Sequence, residues 1–79
     1  MVWPTALTQI AYSLATEQRV VLRHFDVRGR MLRTLVDAFE PAGTHRVSVD
    51  TAGLSGGVYF YQIEAGNISR QRKMVVLGR

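Results

Sequence analysis

The stretch Leu54-Ser55-Gly56-Gly57-Val58-Tyr59-Phe60-Tyr61-Gln62-Ile63-Glu64-Ala65-Gly66 decides the fold class. Val58, Tyr59, Phe60, Tyr61 and Ile63 are β-branched or aromatic, side chains that suit a pleated, half-buried surface. Gly56-Gly57 before them and Gly66-Asn67 after them supply chain reversals. Successive side chains alternate across a strand, so Tyr59, Tyr61, Ile63 and Ala65 share one face. Val58 and Phe60 share the other, which turns polar at Gln62 and Glu64. With apolar groups on both faces, the segment belongs inside a sheet rather than at its edge.

Working outward, the preceding chain also alternates. From Leu7, Ile10, Tyr12 and Leu14 fall on one face and Gln9, Ala11 and Ser13 on the other, the period-2 signature of a half-buried strand. Residues 19–27 read as a second strand, with Val20 and Leu22 on one face and Val21, Phe25 and Val27 on the other; Asp26 and Gly29 then bracket a tight turn. Residues 31–38 fit two periods, because Leu32, Leu35, Val36 and Phe39 sit at helical spacing. Their short length and flanking turns favour a strand. Pro41-Ala42-Gly43 is a turn in which proline presets φ and Gly43 supplies a positive φ two positions later. His45, Val47 and Val49 then alternate with Arg46, Ser48 and Asp50. After Gly66-Asn67, residues 68–77 form a closing strand that hairpins onto the central one, polar in its first half and apolar through Met74, Val75, Val76 and Leu77. The expected fold is all-β: one immunoglobulin-like antiparallel sandwich of six to seven strands over residues 7–79, preceded by a tail or linker at 1–6 whose Trp3 could still reach the core.

Seventy-nine residues make one small domain. A chain of this size buries only about 60% of its unfolded surface and has no room for a deep catalytic cleft. There is no cysteine, so neither disulfides nor thiolate-bound metal staple the fold. The net charge of +4 is unevenly placed. Residues 1–68 hold six basic and six acidic side chains, whereas 69–79 hold Arg70, Arg72, Lys73 and Arg79 with no acid. Concentrated on one terminal strand, this charge indicates either a solvated edge or an interaction at that end rather than nucleic-acid binding. No apolar run approaches the ~18 residues of a membrane span, and the first fifteen residues lack the basic and apolar regions of a signal peptide. Met1 is therefore expected to open a module excised from a longer parent, which carries any export signal.

Signs of chemistry are absent. His24 and His45 lie in separate strands without a metal-ligand spacing, and each is expected on a sheet face, bonded to water or a carbonyl. Ser55-Gly56-Gly57 lacks the surroundings of a nucleophile turn, and no glycine-rich phosphate loop precedes a helix. Asp26 and Asp50 suit Asx turns better than calcium binding. Asn67-Ile68-Ser69 matches the N-glycosylation triplet but needs no role beyond its hairpin. The row Tyr59, Phe60 and Tyr61 serves packing before it serves stacking on nucleic acid or sugar, which leaves carbohydrate binding as a minor reading. No enzyme activity, cofactor or metal is expected.

Taken in order, the signposts are Ile10-Ala11-Tyr12-Ser13-Leu14, Val20-Val21-Leu22-Arg23-His24-Phe25-Asp26-Val27-Arg28-Gly29, Gly43-Thr44-His45, Asp50 with Leu54, Gly57-Val58-Tyr59-Phe60 and Arg72-Lys73-Met74-Val75. This order resembles the C-terminal sorting domain of the type IX secretion system and the related immunoglobulin-like domain of flagellar hook-capping proteins, over residues 9–79. The resemblance implies a non-catalytic module of a larger exported protein that passes through the periplasm. It also implies recognition by outer-membrane secretion and attachment machinery, covalent linkage to a parent cargo, and a secreted or cell-surface destination. By position, Gly57, Val58, Tyr59, Arg72, Lys73, Val75 and Val76 fall on the family's signature, with Asp26 and Gly29 marking its turn and Gly43, Asp50 and Leu54 completing the structural set. Family members commonly begin with Asn-Pro-Phe-Asn-Pro; here Trp3-Pro4-Thr5 stands in its place, as expected of a trimmed or diverged member. Independently, an accessible basic strand on a domain without catalytic residues suggests recognition along that strand, by Arg70, Arg72, Lys73, Val75, Val76 and Arg79. The competing readings are a passive structural or adhesive module and a carbohydrate-binding module appended to a glycosidase, with cell-surface polysaccharide as partner.

Overall fold

A computed structural model describes residues 7–51 and 53–76. They form six strands: β1 (Leu7–Leu14), β2 (Gln18–Phe25), β3 (Met31–Glu40), β4 (Gly43–Asp50), β5 (Gly57–Ala65) and β6 (Ile68–Val76). Among the described residues there is no helix. The strands build two antiparallel sheets, one of two strands, β1-β4, and one of four, β3-β2-β5-β6. The result is a small immunoglobulin-like sandwich. The expected tail at 1–6 with Trp3, together with Leu77 and Arg79, lies outside the described residues.

The two-faced apolar segment does lie inside a sheet, since β5 is flanked by β2 and β6. Its Tyr61 and Ile63 pair with His24 and Leu22 of β2, so both strands turn the same residues inward. Leu22, with no exposed surface, meets Ile10 of β1 and Val49 of β4 across the sandwich. Tyr12, Leu35, Val36, Val47, Tyr61 and Ile63 pack around these three. The alternation read in β1 and β4 is thus realised: Ile10, Tyr12 and Leu14 face inward, as do His45, Val47 and Val49.

β3 is the strand with the ambiguous period, and its pairing with β2 explains why. The register shifts twice: Leu22 pairs with Val36 but Arg23 with Thr34, and His24 pairs with Arg33 but Phe25 with Met31. Leu35 and Leu32 are the extra residues of two bulges. Each bulge offsets the alternation by one, which brings apolar residues to spacings of three and four. The strand also runs to Glu40, further than residue 38.

β2 ends at Phe25, short of residue 27, because Asp26 organises the chain beyond it. The Asp26 carboxylate accepts from the backbone N–H groups of Arg28 and Arg30, each at 2.9 Å, and from Arg30 Nε at 3.1 Å. These bonds, led by the Arg30 N–H, hold the Asp26 carboxyl below its ordinary range. The Gly29 N–H donates to the Asp26 carbonyl at 3.0 Å with φ at +85°, a conformation that costs a residue with a Cβ about 1–2 kcal/mol. At the far end of the sheet Gly66, with φ at +61°, takes the first central position of the β5–β6 hairpin turn.

Candidate functional site

β6 pairs with β5 over its whole length, from Ile68 opposite Ala65 to Val76 opposite Gly57. Its side chains therefore divide by parity. Ile68, Arg70, Arg72, Met74 and Val76 share the inner face with Tyr59, Tyr61 and Ile63, while Ser69, Gln71, Lys73 and Val75 face outward beside Glu64, Gln62, Phe60 and Val58. Met74 and Val76 are buried, at 7% and 8% exposure, so Val76 supports the strand from the core rather than presenting a surface. Val75 is 59% exposed on the outer face. The six residues expected to carry recognition are thus not brought onto one surface. Arg70 and Arg72 lie on the inner side, Lys73 and Val75 on the outer, and Arg79 falls outside the described residues.

The charge of β6 is uncompensated because most acids are engaged elsewhere. Asp37 pairs with Arg19, Glu64 with Arg23 Nη1 at 2.8 Å, and Asp26 with Arg30. Glu40 accepts from the Tyr12 hydroxyl and lies 3.9 Å from His45 Nδ1. Burial, with the Glu40 bond and charge beside it, pushes the Tyr12 phenol far above its usual range and keeps it a donor. Arg70, Arg72 and Lys73 have no carboxylate partner among the described residues. Exposed ion pairs add little stability, but they cancel local field, and on β6 three cations within four residues stand without that cancellation.

Beside Arg70 and Arg72 the sandwich is open. A groove of about 410 Å³ runs between β1 and the β5–β6 pair. Tyr61, Ile63 and Ala65 form its floor, Ile10–Ala15 one wall, and Ile68, Arg70 and Arg72 the other. Its origin is the mismatch of sheet widths: two strands cannot cover the inner face of four. The inner face of β6 is covered only at its Met74–Val76 end, which is why the strand changes from cationic to apolar halfway.

The remaining expected positions serve the frame. Tyr59 stacks obliquely on His24, with ring centroids 5.6 Å apart, and its hydroxyl donates to the Ser55 carbonyl at 2.8 Å. Gly57 opens β5 opposite Val76, and Val58 lies half-buried opposite Val75. Gly43 opens β4 with φ at +124°, as the proline turn requires. The Leu54 N–H donates to the Thr51 carbonyl at 3.0 Å, and the Asp50 carbonyl accepts from Arg33 Nη2 at 2.7 Å. His45 Nε2 lies 2.7 Å from the Pro41 carbonyl, the partner type expected for it. His24 departs from that expectation. It is fully buried on the inner face of β2, and neither ring nitrogen has a hydrogen-bond partner among the described residues.

That placement has a pH consequence. Burial, and secondarily the charge of Arg33, lowers the pKa of His24 below 6.5, so the folded state favours the neutral ring more than the unfolded chain does. The contribution is fully present above about pH 6.5 and is lost as pH falls from there through the lower folded value. Thermal melts from pH 8 to pH 5 should show a declining midpoint below about 6.5. The His24→Leu chain should lack that decline; an identical decline in both would assign it to another group.

No group of three or more His, Asp or Glu able to hold a metal occurs among the described residues. No helix among them is long and apolar enough to cross a membrane. The groove was not legible in the sequence, since it arises where β1 and β6 face each other across an open gap between the sheets. The signal available was the parity of Arg70 and Arg72 with Met74 and Val76. Comparison with protein families gives a match over residues 2–77 to the family described as the secretion system C-terminal sorting domain. Comparison with curated proteins and with solved structures gives no match.

Proposed function

The chain belongs to the secretion system C-terminal sorting domains, and from that premise we propose that it acts as the type IX address of a larger exported cargo, with no chemistry of its own. Membership marks a protein bound for the cell surface or the medium across the outer membrane. In this reading the outer-membrane machinery recognises the folded sandwich along β6, and attachment to the cell surface follows export. The observation that carries it is the uncompensated charge of Arg70, Arg72 and Lys73 on a strand whose apolar end is anchored in the core. Only a fixed strand presents its cations at constant spacing. Tyr59 packs on His24, Tyr61 packs against the core and Phe60 points to the opposite face, so the aromatic row forms no single platform for a sugar, which favours sorting over carbohydrate binding.

The experiment is a transfer. A reporter with a periplasmic signal peptide is expressed in a type IX-competent bacterium with and without this chain at its C-terminus. The expected result is reporter on the surface or in the medium only when the chain is attached. Periplasmic retention of a folded fusion would refute the reading.

A further inference from the structure

We propose that the groove between β1 and β6 takes an extended acidic polypeptide segment, which adds as a third strand to the open edge of β1 and sets alternate carboxylates on Arg70 and Arg72. The proposal rests on the reading of β6 as the recognised strand and names the chemistry of its partner. Three observations converge on it.

The first is the edge. β1 pairs with β4 on one side, and among the described residues no strand pairs with its other side. The groove is lined by β1, β5 and β6, with Gln18 of β2 at one end, and by no residue of β4, so it is the unpaired edge of β1 that borders it. An unpaired edge offers a row of backbone donors and acceptors to an incoming strand. The second is the floor. Tyr61, Ile63 and Ile68 give the inward side chains of such a strand an apolar surface, and Ile68 is 54% exposed without it. The third is the charge. Arg70 and Arg72 stand two residues apart on one face, hence about 6.8 Å apart along the strand. Any extended segment repeats its own side chains at that interval, so carboxylates two residues apart meet both guanidinium groups. Arginine suits the task because its planar fork binds a carboxylate through two N–H groups. The open edges of β3, β4 and the outer side of β6 lack this combination of a concave floor with unpaired cations.

The test uses the 79-residue chain and fluorescent peptides as long as β1, eight residues. One reads Val-Thr-Glu-Thr-Glu-Thr-Val-Thr, which puts two carboxylates and two valines on one face, and a second has lysine in place of both glutamates. The expected result is that the acidic peptide binds at least about tenfold tighter than the basic one and loses most of that preference near 1 M salt. Backbone amide shifts should concentrate on Ala11, Tyr12 and Ser13 and on β6. Arg70→Glu with Arg72→Glu should abolish the preference, while Arg46→Glu, on the exposed outer face of β4, should leave it. Equal binding of both peptides, no binding of the acidic one, or shifts confined to the β3 or β4 edge would overturn the proposal. So would capture of the chain by phosphatidylglycerol vesicles in place of the acidic peptide, which would assign the arginines to a lipid surface. If the arginine pair is needed for export of the reporter but the acidic peptide does not bind, the reading of β6 stands and this partner falls. If export survives the pair, the reading beneath it falls as well.

Discussion

Leu22→Ala should lower stability by about 2–5 kcal/mol, since Leu22 is the largest fully buried apolar side chain among the described residues. Leu22 has no exposed surface, sits at the middle of β2 and is the member of the four-stranded sheet that joins the core triad with Ile10 and Val49. The alanine side chain leaves a space that β1 and β4 would have to move to fill. They cannot move freely, because eight register pairs tie them into one rigid ladder. In a domain of this size each kcal/mol shifts the melting temperature by about 4–8 °C, so a fall of at least about 8 °C is expected by circular dichroism. A surface apolar residue provides the comparison. Val27, 64% exposed beyond the end of β2, should tolerate alanine with a change within about 0.5 kcal/mol. If Leu22→Ala melted as Val27→Ala does, the core would not be organised around β2.

How far this architecture was legible depends on what alternation encodes. Period-2 patterning states which residues share a face, and it located β1, β4 and β5 with their inward sets, Ile10-Tyr12-Leu14, His45-Val47-Val49 and Tyr59-Tyr61-Ile63. It does not state which strand lies beside which, so the pairing of β1 with β4 and the unequal widths of the two sheets appear only in the structure. In β3 the pattern itself is disturbed, since two bulges at Leu35 and Leu32 shift parity twice within ten residues. The Asp26–Gly29 turn was readable because its chemistry is local. His24 was not, because an imidazole ordinarily takes a polar partner and this one has none among the described residues. Its even-numbered position with Val20 and Leu22 already put it on the buried face.

The closing strand shows the same limit. Read linearly, Arg70, Arg72, Lys73, Val75 and Val76 form one recognition segment. Read by parity, they divide between a groove, an outer surface and the core. Family membership states that the chain is a sorting domain; the structure shows how its basic strand is held.

Reversing the charge of β6 should therefore abolish export without unfolding the domain. Arg70, Arg72 and Lys73 are exposed and have no carboxylate partner among the described residues, so Arg70→Glu, Arg72→Glu and Lys73→Glu together break no ion pair. Met74 and Val76, which anchor the strand, are untouched. Stability should change by no more than about 0.5 kcal/mol for each surface substitution. Recognition faces a different balance. Like charges set against a complementary surface cost several kcal/mol, and about 1.4 kcal/mol is already tenfold in affinity. The most direct measurement is the exported fraction of the reporter fused to the triple variant, taken beside the melting temperature of the same variant. The account predicts an exported fraction lowered by about tenfold or more at an almost unchanged melting temperature. Undiminished export by a folded triple variant would contradict it.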